Sequence, residues 1–67
     1  MSKSFNVPLT EDEIGMLVDA LEADQEGYVE AAKEARANNK RDDVETFTDA
    51  AMNIQKLMTR LQDLIED

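Results

Sequence analysis

The sequence predicts an all-α protein, an antiparallel helical hairpin that dimerises into a four-helix bundle. Three observations carry this expectation. Residues 44–65 repeat apolar side chains at alternating steps of three and four. Residues 10–21 open with a capping signature and continue with the same period. Between the two periodic segments lies a polar stretch, Asn38-Asn39-Lys40-Arg41-Asp42-Asp43, short enough to turn one helix back on the other.

Residues 1–8 (MSKSFNVP) read as an N-terminal tail ahead of one helical domain, 9–67. Pro8 pushes Val7 toward extended backbone, while a return of Phe5 and Val7 to the helices is left open. The first helix starts with Thr10 as N-cap and Glu13 three residues on, a capping box. Glu11 and Asp12 fill the first turn, where the helix dipole favours negative charge. Leu9 and Ile14 are placed to form a hydrophobic staple.

Ile14, Leu17, Val18 and Leu21 then mark one helix face. The pattern weakens over 22–27 and resumes at Tyr28, Ala31, Ala32 and Ala35. As a heptad, the seam is expected at 14, 17, 21, 24, 28, 31 and 35, with Asp24 as its one polar member. Gly27 costs roughly 1 kcal/mol against Ala in a helix interior. Two readings fit: one helix over about 11–38, or two shorter helices that part near 24–27, which allows a monomeric three-helix arrangement. Ala- and Glu-rich flanks without Pro favour the single helix. Paired Asn residues suit its C-terminus, where left-handed backbone is tolerated, and the loop is expected over 38–43. Asp42 or Asp43 is expected to cap the second helix.

That second helix, expected over about 43–66, is the most regular part of the chain. Val44, Phe47, Ala51, Ile54, Met58, Leu61 and Ile65 form its apolar line, widened by Ala50, Leu57 and Leu64. Three apolar positions per heptad make a globular-bundle face rather than a narrow two-stranded seam. The facing half of the first helix is mostly small, with Ala31, Ala32 and Ala35. One partner helix is therefore expected to leave part of the stripe uncovered. Pairing of two hairpins covers it. Met52 lies off the stripe.

With 67 residues, the chain buries only about 60% of its unfolded surface, so a lone domain is marginal. Neither Cys nor His occurs, so disulfides, Cys/His zinc sites and His- or thiol-dependent catalysis are excluded. Two isolated glycines form no phosphate loop, and two helices offer no catalytic cleft. The chain is expected to be non-enzymatic, without cofactor or metal. The opening residues lack a signal-peptide layout and no apolar run approaches a membrane span. A soluble, cytoplasmic protein is expected, with no membrane partner.

The net charge is −9 and the pI about 4.2. Direct nucleic-acid binding needs a basic surface, so it is not expected. Asp19, Glu22, Glu26, Glu30 and Glu34 instead form an acidic row on the first helix. Steps of three or four residues lie roughly 4.5–6 Å apart along the axis, close to the phosphate repeat of a nucleic-acid strand. Such a row suits a basic surface on another protein. The expected role is a small acidic interaction protein that inhibits a nucleic-acid-binding partner by DNA-mimic electrostatics. The alternative is an assembly module docking through the apolar stripe of 44–65. Size, charge and missing catalytic groups look like those of small accessory proteins from phages or mobile elements, a likeness of class that no motif carries.

Residues 9–30 also resemble the entering helix and calcium loop of an EF-hand. Glu22, Asp24, Glu26 and Glu30 fall at loop positions 1, 3, 5 and 9, with Gly27 at position 6. The resemblance implies a degenerate EF-hand-like regulator as a further reading. Lys33 stands where the bidentate Glu should hold Ca²⁺, so functional calcium binding is not expected.

Overall fold

The computed structural model describes residues 3–65. Two helices make up the fold, α1 (Glu11–Ala37) and α2 (Arg41–Ile65), packed side by side as a hairpin. Among the described residues there is no strand.

The capping box forms at the start of α1. The Glu13 backbone N–H donates to Thr10 Oγ1 at 3.1 Å, and the Thr10 N–H donates to Glu13 Oε1 at 2.8 Å. Leu9 packs against the cluster that contains Ile14, as the staple requires. Phe5 and Val7 do not fold back: they are 77% and 64% exposed. Residues 3–8 lie outside the helices, and Pro8 favours extended backbone at Val7.

No break interrupts α1 at 24–27, which removes the three-helix arrangement. Helical hydrogen bonds on either side of Gly27 outweigh its propensity cost, which is local. The helix also passes straight through Glu22–Lys33. Carboxylates that an EF-hand loop would converge on one ion are therefore distributed around a helix. Among the described residues, no group of three or more acidic side chains can hold a metal ion.

α1 ends in a Schellman motif. Asn39 takes left-handed backbone with φ 58°. The Lys40 N–H then reaches the Ala35 carbonyl at 2.9 Å, and the Asn39 N–H reaches that of Arg36 at 3.1 Å. The turn occupies 38–40, shorter than expected, and α2 begins at Arg41. Asp42 and Asp43 are therefore first-turn residues, not caps. There they still complement the helix dipole. The Val44 N–H already bonds the Lys40 carbonyl at 3.0 Å, so the helix closes before either Asp could cap it.

The interhelix seam differs from expectation. Ile14, Val18 and Ala35 are buried in α1, with Leu21, Gln25, Tyr28, Ala31 and Ala32 half-buried between them. The seam thus runs 14, 18, 21, 25, 28, 31/32, 35. Leu17 is 42% exposed, and Asp24 is exposed. The two heptad frames differ by one residue, and the frame through 24 would desolvate a carboxylate with no partner. The frame through 25 places a neutral amide there instead.

From α2, Val44, Phe47, Ala51, Ile54, Met58 and Leu61 face this seam; Ala51 and Met58 are buried and the other four half-buried. Ile14, Val18 and Met58 form the core cluster at the open end, with Leu9, Leu21, Ile54 and Leu61 packed on it. Toward the turn, the Tyr28 and Phe47 rings pair at a centroid distance of 6.2 Å, tilted by 35°.

Candidate functional site

An interaction site on a two-helix protein must lie on an outer face. The geometry provides three such faces.

The first is the outward side of α1. Nine acidic and two basic residues lie in this helix, against five and three in α2. Asp19, Glu22, Glu26, Glu30 and Glu34 are all exposed. Asp19, Glu22 and Glu26 line one shallow surface depression. The row then winds: each four-residue step turns about 40° beyond a full revolution, so Glu34 has left the face that holds Glu22. Glu30 contacts Lys33 at 3.6 Å in an exposed pair. Continuity of α1 makes the row a ridge about 22 Å long on a helix of about 40 Å.

Glu13 lies in the first turn of α1. Hydrogen bonding from Thr10, first through its backbone N–H and then through its side chain, holds the Glu13 carboxyl below its ordinary value of 4.5.

The second face carries leucine. Ala31 of α1 and Asp43 of α2 border the same depression near the turn. Heptad steps from those positions place Leu17, Asp24 and Ala31 along one edge of α1, and Asp43, Ala50, Leu57 and Leu64 along the adjoining edge of α2. Leu57 is 42% exposed, Leu64 68% and Ile65 41%. These three members of the expected apolar stripe are thus not covered within one hairpin.

The third face is the groove opposite, of about 410 Å³, bordered by Val29, Lys33, Arg36, Thr48, Met52 and Gln55. Its lining is mostly apolar, with Ala32 and Ala51 beside Val29 and Met52, and Lys33, Arg36, Thr48 and Gln55 are among its polar groups.

No family model, curated protein or solved structure matches the chain. The faces must be weighed on their own chemistry.

Two quantities bear on how complete the hairpin is. Its accessible surface is 5785 Å², whereas a compact monomer of 7.5 kDa exposes about 4,200 Å². The extended residues 3–8 supply part of that excess. The Cα radius of gyration is 14.5 Å, against about 11 Å for a compact domain of this length. Correspondingly, no described side chain is fully buried. Among the described residues, no helix is long and apolar enough to cross a membrane.

Sequence reasoning missed Gln25. Its Nε2 bonds both the Ala51 carbonyl and Gln55 Oε1 at 3.1 Å, joining the helices. The signal was present: two frames were available, and only one kept charge out of the seam.

Proposed function

We propose that this chain is a soluble, intracellular, non-enzymatic interaction protein that presents the acidic ridge of α1 to a basic, nucleic-acid-binding surface of another protein, and that two hairpins pair to form the working unit. The unbroken α1 with its exposed carboxylate row carries the reading. A helix holds these charges in register without an ordering cost on binding, and the like-charged field speeds encounter with a basic partner. Pairing is supported by the surplus of exposed surface and the uncovered leucines.

Affinity capture from the source cells tests the recognition step. Captured proteins are expected to be nucleic-acid-binding, displaced by duplex DNA, and lost when Glu22, Glu26 and Glu30 become Gln. Capture that survives these changes and about 0.5 M salt, where exposed charges are screened beyond a few ångströms, would count against the acidic ridge. It would favour the assembly-module reading, for which the exposed Leu57 and Leu64 are the supporting observation. Sedimentation equilibrium tests the pairing separately.

A further inference from the structure

We infer that the face carrying Leu17, Leu57 and Leu64 is where a second copy of the chain packs, with both turns at the same end of the bundle. The inference rests on the pairing reading above and adds the surface and the orientation.

The choice of face follows from its chemistry. Along its two edges only Asp24 and Asp43 are charged, and the half-buried Leu21, Ile54 and Leu61 lie beside the exposed leucines. Across the hairpin, the Val29–Met52 groove is rimmed by Lys33, Arg36 and Gln55. Burying either face would desolvate two charged groups, Asp24 and Asp43 on one and Lys33 and Arg36 on the other; the leucine face covers three exposed leucines for that cost, the groove one valine and one methionine.

The occupant follows from area. The chain exposes about 1,600 Å² more than a compact monomer of its mass, part of it on residues 3–8, and a standard interface removes about 800 Å² per partner. A second hairpin laid on one face is of the right size.

The orientation follows from level. The Gln25–Ala51 hydrogen bond and the Tyr28–Phe47 ring pair set the register of the hairpin. Continued along both helices by heptads, that register puts Leu17 level with Leu57, Asp24 with Ala50, and Ala31 with Asp43. A two-fold axis along the hairpin lays α1 on α2 of the second copy with levels preserved. Leu17 then meets Leu57, and each Asp meets an Ala. With the turns at opposite ends and full overlap, α1 lies on α1. Asp24 then faces its own symmetry mate, and Leu57 falls beside Asp43. Like-charge contact and a leucine against a carboxylate both oppose that packing.

Sedimentation equilibrium on the full chain tests the face, using Leu57→Glu and Met52→Glu with helicity checked by circular dichroism. Leu57→Glu is expected to weaken self-association by about 100-fold or more, and Met52→Glu by no more than about threefold. Spin labels at Asp42→Cys, in a chain that has no other Cys, read the orientation by dipolar spectroscopy even if Leu57→Glu does not fold. Turns at one end give a separation within about two helix diameters, roughly 20–25 Å. Turns at opposite ends of a molecule 43 Å long give a separation near that length. Dissociation by Met52→Glu but not Leu57→Glu, or the long separation, overturns the inference while leaving pairing intact. A wild-type chain that stays monomeric at high micromolar concentration overturns the pairing itself.

Discussion

Gln25 donates its side-chain amide to the Ala51 carbonyl across the hairpin at 3.1 Å, and the same nitrogen lies 3.1 Å from Gln55 Oε1. The bond is part-buried and joins residues 26 apart in sequence. Two acceptor oxygens therefore surround one donor. Gln25→Glu would replace that donor with a carboxylate facing a carbonyl. We expect a loss of about 1–3 kcal/mol at neutral pH, recovered in part as the new carboxyl protonates. Gln25→Leu should be nearly neutral, because Ala51 keeps its helical hydrogen bond and Gln55 can turn to water. Urea unfolding of the two variants at pH 7 and pH 4 checks both statements. Equal losses would show that the amide acts by shape alone.

The capping box predicts a pH dependence. Glu13 is held below 4.5 in the folded chain, so the folded state binds its proton more weakly than the unfolded state does. Its stabilising contribution is complete above the unfolded value and is lost as pH falls through the lower folded value. Thr10→Ala removes the cap and should cost about 1 kcal/mol. It should move the Glu13 midpoint upward without restoring it fully, because the backbone N–H of residue 10 remains. Carboxyl-detected NMR titration of Glu13 in both chains reads the shift directly.

Gly27 lies in the interior of α1, exposed, and a Cβ there would meet no atom within 4 Å. Gly27→Ala should therefore stabilise the protein by about 1 kcal/mol through helix propensity and reduced freedom of the unfolded chain. A higher melting temperature with an unchanged far-ultraviolet spectrum is expected. A fall would mean that the outer face of α1 has a need for backbone freedom at this point.

At the turn, Asn39 has φ 58°. Asn39→Gly should hold or slightly raise stability, whereas Asn39→Val should lower it by about 1–2 kcal/mol, because a β-branched side chain resists left-handed backbone. Thermal melts of the pair give the comparison. Similar melting temperatures would argue that the turn relaxes out of the Schellman geometry.

Local signals were the most legible part of the fold. Thr10 and Glu13 announce the start of α1, the paired Asn residues announce its end, and the three-four period of 44–65 announces α2. Each depends on groups within a few residues of one another. Where several local solutions competed, the sequence reading erred by small steps. It placed the cap of α2 on Asp42 or Asp43, although Lys40 already sits at the helix entrance. It left open a return of Phe5 and Val7 to the helices, and both are exposed. Of the candidate site, the acidic row was legible as a pattern, because exposure of carboxylates follows from their hydration alone. The division of apolar residues between covered and uncovered faces was not.

The sequence by itself determined that there are two amphipathic helices, where they meet, and that one is strongly acidic, because periodicity, capping chemistry and charge are properties of neighbouring residues. Only the tertiary structure decided between Leu17 and Val18, and between Asp24 and Gln25, for the seam. Those choices turn on desolvation, a cost that exists only once a second helix excludes water from one side of the first. The same packing left Leu17, Leu57 and Leu64 facing outward, since a single neighbouring helix covers one strip of α2 and no more.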